Sequence, residues 1–337
     1  MLVKAGPPEE ALAVRDVPDP TPSGGEVLID VRAAGLNFAD VMARAGLYPD
    51  APKTPCVMGY EVAGVVNGVG AGVDRYEPGQ RVVASTLFNG FAERAVAMAT
   101  DVLPLPDGMS FEEGAALPVA YGTAYVAVGM LAGVRPGETV LVHAAAGSVG
   151  IAATQILRDR GAEVIGTASA SKHDAIREHG VTHAIDYRTQ DFKQEVERIT
   201  GGQGVDVVLD ALGEFRSSYA SLRPGGRLVM FGASKLLTGD RRNLVRTIRT
   251  VATMPRFNSL KLMNDNKAVM GLNLLKLWQA RGSLQELIEP LTDLVQRGVA
   301  KPVVAKVFPF SQAAAAHRFI QERRNIGKVV LVPDSVL

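Results

Sequence analysis

The run His143-Ala-Ala-Ala-Gly-Ser-Val-Gly150 places small residues at the three positions a dinucleotide loop requires, Ala145, Gly147 and Gly150. Small side chains at that spacing let the backbone turn tightly, approach a pyrophosphate and pack the next helix on its sheet. Ser148 and Val149 open that helix, whose free N–H groups and positive dipole end suit an anion. The plain alternative is an ordinary tight βα turn, but a strand before it and a helix after it favour a cofactor. The next strand ends in Gly166-Thr-Ala-Ser-Ala-Ser-Lys-His. An NAD site usually carries an acid about 20 residues past the glycines, where it accepts from the ribose 2′-OH. No acid stands there, and Asp174 falls inside the following predicted helix. Ser169 and Lys172 instead offer a hydroxyl and an ammonium to a 2′-phosphate, and a serine cap beside a solvated lysine is compatible with that role. The expected cofactor is NADPH.

Other chemistry is thin. One cysteine, Cys56, excludes an intrachain disulfide framework and a Cys-rich metal cluster, and it reads as a small buried hydrophobe. Five histidines are present; His179 and His183 are four apart, but Gly180 falls between them at a predicted helix end. A formal net charge of +1 gives no global field to draw in nucleic acid or an anionic membrane.

The elements that must position the loop follow from periodicity. Residues 1–118 read as short strands, among them Val27-Leu-Ile-Asp-Val, Glu61-Val-Ala-Gly-Val-Val and Arg81-Val-Val-Ala-Ser, broken by turn clusters such as Glu77-Pro-Gly-Gln. From Thr139 onward apolar runs alternate with helical stretches: Val140-Leu-Val-His, Glu163-Val-Ile-Gly-Thr, Ala184-Ile-Asp, Val205-Asp-Val-Val-Leu-Asp and Arg227-Leu-Val-Met-Phe. That texture means βαβ units and a parallel sheet covered on both faces. The tail returns to other material, with Ala305-Lys-Val-Phe-Pro-Phe, a helix from Ser311 and a strand in Gly327-Lys-Val-Val-Leu-Val. A nucleotide domain inserted between two pieces of a second domain is expected. The opening lacks a signal peptide's apolar core, and no segment reaches the ~18 uncharged apolar residues of a spanning helix, so the chain reads as cytoplasmic. Leu2-Val3 reads as the tail of a strand, so the native start is expected upstream of Met1.

The loop and its flanks resemble the zinc-independent quinone oxidoreductase (ζ-crystallin-like) family of medium-chain dehydrogenases/reductases across essentially the whole chain. The motifs are Ala34-Gly-Leu-Asn-Phe-Ala-Asp-Val, Ala45-Gly-Leu-Tyr-Pro, Gly59-Tyr-Glu-Val-Ala-Gly-Val-Val, Glu77-Pro-Gly-Gln-Arg-Val and Tyr121-Gly-Thr-Ala-Tyr. Gly166–Tyr187, Leu237-Thr-Gly-Asp-Arg-Arg-Asn-Leu and Arg324-Asn-Ile-Gly-Lys-Val are most similar to its vesicle-amine-transport branch. The resemblance implies an α/β fold in which a doubly wound parallel Rossmann sheet is inserted in a GroES-like β-rich domain. The pieces expected are residues 1–119, 120–264 (Rossmann) and 265–337. It also implies that Asn37 and Thr123 lie at the nicotinamide end, Gly213 and Phe231 border its ribose and ring, and Tyr187 flanks the 2′-phosphate. Asn325 approaches the cofactor from the C-terminal piece, and Ala268-Val-Met-Gly-Leu-Asn-Leu carries the contact of a homodimer.

Zinc enzymes of that superfamily hold the metal with a cysteine near the first glycine motif and a histidine in Gly-His-Glu. This chain has Gly35-Leu-Asn-Phe-Ala-Asp and Gly59-Tyr-Glu there, and one cysteine cannot complete a zinc set, so no metal is expected. Without a Lewis acid, a quinone or an α,β-unsaturated carbonyl is the expected substrate, because orientation and a few hydrogen-bond donors suffice. Tyr48 is the first candidate, as donor or as ring-stacking partner, and Tyr60 the second, with Asn37 completing the catalytic set; amphipathic packing is the alternative for the tyrosines. Met42 stands where many relatives have a tyrosine, which leaves the pocket more apolar and weakens a claim for quinone in particular. The second reading, from the branch, is a weakly active NADPH-binding protein at a lipid or membrane surface. Arg241, Arg242, Arg246 and Arg249 around Leu244, Val245 and Ile248 would supply its basic face, and a solvated helix is the alternative.

Overall fold

The computed structural model describes residues 1–236 and 254–336. The strands in chain order are β1 (Glu26–Leu36), β2 (Glu61–Val69), β3 (Arg81–Ser85), β4 (Arg94–Met98) and β5 (Val102–Pro104), then β6 (Thr139–Val142), β7 (Glu163–Ala168) and β8 (His183–Asp186). β9 (Val205–Asp210), β10 (Leu222–Met230), β11 (Ala268–Gly271), β12 (Val304–Pro309) and β13 (Lys328–Val332) follow. Leu2 forms isolated bridges to Leu12 and Cys56 instead of ending a strand.

Two sheets result. The first runs β12-β13-β1-β2-β3-β5, with β4 also paired to β1; its strands are antiparallel except for the parallel pair β12–β13. The second is wholly parallel in the order β11-β10-β9-β6-β7-β8, the doubly wound order with its reversal between β6 and β9. Its middle strands are buried on both faces, which is why β9 reads as a continuous apolar run between its aspartates. Val140, Val142, Val207 and Leu209 face one core, and Leu141, Ile165, Val208 and Leu228 face the other.

The chain passes between the sheets at 118–120 and again after Ala300. The second crossing corrects the expected boundary at 264/265. β11 pairs with β10, while Trp278, Leu284, Leu287, Leu291 and Leu294 share a core with Val140 and Val142. Residues 268–300 therefore belong to the nucleotide unit, and the C-terminal return is confined to β12, β13 and the helix Ala313–Gln321. A contiguous sequence could not show this, since β11 is too short to announce which sheet it joins. The expectation about spanning segments also changes. The helical run Phe111–Leu131 has the length and apolarity to cross a membrane, at mean hydropathy 1.4, but 72% of its apolar window is packed inside the protein. It lies between the two sheets, and most of its apolar residues are covered by protein, Met130 at 42% exposure being an exception. The basic stretch Arg241–Arg249 lies outside the described residues.

Candidate active site

A cleft of about 610 Å³ opens where the order of the parallel sheet reverses, between the two domains. Its floor is the phosphate loop. Gly147 caps the helix Ser148–Asp159 without a side chain, so no side chain occupies the first-turn N–H groups. A Cβ at Gly150 would stand 2.7 Å from Ala145 Cα, so only glycine lets that helix close on the loop. Gly147, Ser148, Val149 and Gly150 line the cleft. Ala145 does not: it is 1% exposed and packs in the core beneath the loop, where its small size serves the close approach.

At one end, beyond β7, Ser169, Lys172, Tyr187 and Arg323 meet. Asp174 is turned away, paired with Arg177 and fully solvated. Lys172 is not the free ammonium expected, because its Nζ donates to the carbonyl oxygens of Arg323 (2.7 Å) and Asn325 (2.6 Å). Burial lowers the Lys172 pKa, with Arg188 and Arg323 adding to the shift against Tyr187. Burial would raise the Tyr187 phenol, but hydrogen bonds from Arg323 and Arg188 outweigh it and hold the phenol below its usual range. Arg188 and Arg323 are the residues sequence reasoning missed. The signal was present in Arg324-Asn-Ile-Gly-Lys, but only the fold shows that this segment returns to the end of β7. Asn325 lines the cleft and donates from Nδ2 to the carbonyl of Gly327 (2.8 Å), whose own N–H bonds Ala146 O (2.9 Å) on the phosphate loop.

At the other end, Asn37, Tyr48, Tyr60, Thr123 and Phe231 line the cleft with Met42, Leu272, Leu274, Leu275 and Trp278. Gly213 is absent from that lining. It turns at φ +92° behind Ala211 and Leu212, with its N–H bonded to Asp210. The Asn37 amide orientation is dictated by its partners. Lys328 Nζ can only donate and lies 2.7 Å from Oδ1; Glu61 Oε1 can only accept and lies 2.8 Å from Nδ2. The second Nδ2 proton faces Gly35 O at 3.3 Å. Asn37 therefore presents an acceptor, not a donor, and cannot stabilise a substrate oxygen as expected of the catalytic set. Lys328 and Glu61, 1% and 0% exposed at their side chains, form a buried ion pair beneath it. Asp40 lies in the same pocket of charge, and burial lifts its carboxyl to about 7 against the Asn37 N–H and Lys328. Tyr60 is buried against Phe88 at 5.1 Å, its hydroxyl is without a partner among the described residues, and burial moves its pKa well upward. Cys56 is half-buried, not fully so, and burial raises its thiol pKa.

Two halves of one site, a phosphate loop at the reversal of a parallel sheet and a mainly antiparallel domain closing over it, define a nucleotide-dependent dehydrogenase or reductase. Residues 23–109 match the family described as alcohol dehydrogenase GroES-like domain, and residues 179–331 match zinc-binding dehydrogenase. The chain belongs to the medium-chain dehydrogenase/reductase family, in the ζ-crystallin-like group and its vesicle-amine-transport branch. It is 42% identical over 325 residues to the synaptic vesicle membrane protein VAT-1 homolog of Rattus norvegicus, covering 96% of this chain and 80% of that protein. Escherichia coli quinone oxidoreductase complexed with NADPH matches with a TM-score of 0.85 at 32% identity, covering 98% of each chain. CurK enoyl reductase matches with a TM-score of 0.84 at 32% identity, again covering 98% of each.

Proposed function

We propose that this oxidoreductase uses NADPH to reduce a quinone or an α,β-unsaturated carbonyl without a metal. The observation that carries the reading is the cation-rich corner of Lys172, Arg188 and Arg323 around Ser169 and Tyr187, with no carboxylate among the described residues that line the cleft there. Such a corner favours a 2′-phosphate, whereas an acid there would favour the free 2′-OH. The uncapped first turn from Ser148 and the close approach at Gly150 fit a pyrophosphate beside it.

When bound, the nicotinamide supplies a hydride. The chain's own residues supply position and exclusion of water. Leu272, Leu274, Leu275, Trp278 and Met42 make an apolar wall suited to a flat ring or an enone chain. Where zinc-dependent relatives hold metal, this chain has an amide and a phenol, and Lys328 fills the ground beneath them. Tyr48 is the donor toward a substrate oxygen. Asn273 Oδ1 accepts from Lys276 N (3.2 Å), which turns the amide nitrogen toward Tyr48. Tyr48 accepts that bond and keeps its own proton for the cleft.

The test is turnover. NADPH consumption is expected with 9,10-phenanthrenequinone or a 2-enal, and binding of NADPH, read by quenching of the single tryptophan, Trp278, is expected to be tighter than that of NADH. Zero consumption with every quinone and enone tried would overturn the substrate half, and equal affinities would overturn the cofactor half. We propose that a homodimer would form through the edge of β11 that pairs with no strand among the described residues.

A further inference from the structure

Under the cleft, the ends of β7, β6 and β9 are joined by a buried chain of hydrogen bonds that hydride transfer itself does not require. His143 follows β6 and is 2% exposed; its Nδ1 lies 3.1 Å from Thr167 Oγ1 on β7, and its Nε2 lies 3.2 Å from Ser218 Oγ. Ser218 Oγ donates to Asp210 Oδ2 (2.7 Å) at the end of β9. Asp210 Oδ1 accepts from the N–H groups of Leu212 (2.8 Å) and Gly213 (2.9 Å). At the other end Ala144 N–H donates to Thr167 Oγ1 (3.3 Å), and Ala145 N–H to the Thr167 carbonyl (3.1 Å).

The carboxylate end fixes the proton directions from Asp210 to His143. Asp210 can only accept, so Ser218 spends its one hydroxyl proton there and can only accept from His143. Nε2 must therefore carry a proton. Thr167 Oγ1 accepts from Ala144 and has its own proton to give to Nδ1, which is then the bare nitrogen of a neutral ring. Burial favours that neutral ring, and Phe192 packs edge-on against it at 4.6 Å.

The two ends of the chain are the two walls of the dinucleotide site. Ala144 begins the phosphate loop, and Ala211 and Leu212 line the cleft on the nicotinamide side. We infer that His143, as its Nε2–H tautomer, is a positioning residue for the dinucleotide, tying the phosphate loop to the 211–213 turn across the reversal of the sheet. The inference rests on the dinucleotide part of the proposed function and is independent of the quinone or enone part. The ring itself borders the cleft at 2% exposure, and it holds both flanking loops in order as long as it stays neutral.

Two measurements test it. In 15N-histidine NMR at pH 7, the signal that His143→Gln removes is expected to report a neutral ring protonated on Nε2; an Nδ1–H or doubly protonated ring would overturn the inference. In NADPH binding read from Trp278 fluorescence, His143→Gln keeps an acceptor toward Thr167 and a donor toward Ser218, and should bind within about threefold of wild type. His143→Leu, which removes one partner from each of Thr167 and Ser218, should bind about tenfold or more weakly. Should His143→Leu fail to fold, Ser218→Ala makes the same cut at one bond and should weaken binding several-fold while the melting transition persists. Wild-type affinity in His143→Leu or Ser218→Ala would overturn the inference alone. A wild-type protein that binds neither NADPH nor NADH would overturn the dinucleotide reading and the inference with it.

Discussion

The two ends of the cleft are built by opposite means. The phosphate end combines the uncapped N–H groups of a helix first turn with cations tied to the Tyr187 phenol and to the carbonyls of Arg323 and Asn325, so it is polar on its surface. The substrate end faces the cleft with apolar side chains, and keeps its charges behind them, where Lys328, Glu61 and Asn37 satisfy one another. The first arrangement selects a ligand by charge. The second selects by shape and water exclusion, and spends its electrostatics on holding the wall in place.

That difference is broken most severely at Lys328. Lys328→Met leaves the Glu61 carboxylate buried at 0% exposure with Asn37 and the Val119 N–H (2.8 Å) as its remaining partners. Removing one member of such a pair typically costs about 3–5 kcal/mol, and replacing both partners restores much of it. Denaturant unfolding should therefore show Lys328→Met strongly destabilised and Lys328→Met with Glu61→Gln substantially recovered. Equal stability of Lys328→Met and wild type would mean that the charges behind the wall do not hold it.

The next test asks whether the phosphate end recognises charge locally. Arg188 contributes to that corner through the Tyr187 phenol, whereas Lys172 also fixes the return segment at Arg323 and Asn325. Arg188→Ala should weaken NADPH binding by about 10- to 100-fold and leave NADH unchanged, in line with the roughly 1.5–3 kcal/mol typical of a hydrogen bond to a charged group. Lys172→Ala should weaken NADPH more and NADH measurably, because the return segment loses its anchor. If both variants change NADPH and NADH in the same ratio, the corner is scaffold and the preference lies elsewhere.

The contrast also explains what the sequence could disclose. The phosphate end is local: Gly147, Gly150, Ser169 and Lys172 fall within 26 residues of one another, on one βαβ unit, and periodicity plus loop chemistry is enough to find them. Arg323 escaped because it is more than 150 residues away, and a left-handed backbone at φ +55° turns it into the corner. The substrate end is assembled from residues near 37, 48, 60, 272 and 328, which no spacing rule connects. Asn37 lines the cleft, yet its chemistry depends on Lys328 across 291 positions, and that contact sets its oxygen on the ammonium and its amide protons on Glu61 and Gly35. The domain boundary failed for the same reason, since the four residues of β11 acquire meaning only from the register beside β10.

The smallest effect expected is at Tyr48, and it sharpens the contrast by asking for the one polar group the substrate wall shows. Burial, with Asp50 adding to it, pushes the Tyr48 phenol up to about 12 against the hydrogen bond from Asn273. A phenol in that range stays protonated through neutral pH and can donate to an oxygen that gains charge as hydride arrives, without transferring its proton outright. Removing one neutral donor of this kind is worth about 1–1.5 kcal/mol, so Tyr48→Phe should lower kcat about tenfold and leave NADPH affinity intact. Asn273→Asp separates donation from packing. A carboxylate retains the helix cap over Lys276 but can only accept, so it captures the Tyr48 proton and lowers kcat by a similar factor. In the Tyr48→Phe background the same substitution should do nothing further to kcat. Additive losses in the double variant would show that Asn273 shapes the wall by packing alone, and that the substrate end orients its ligand without any donor of its own.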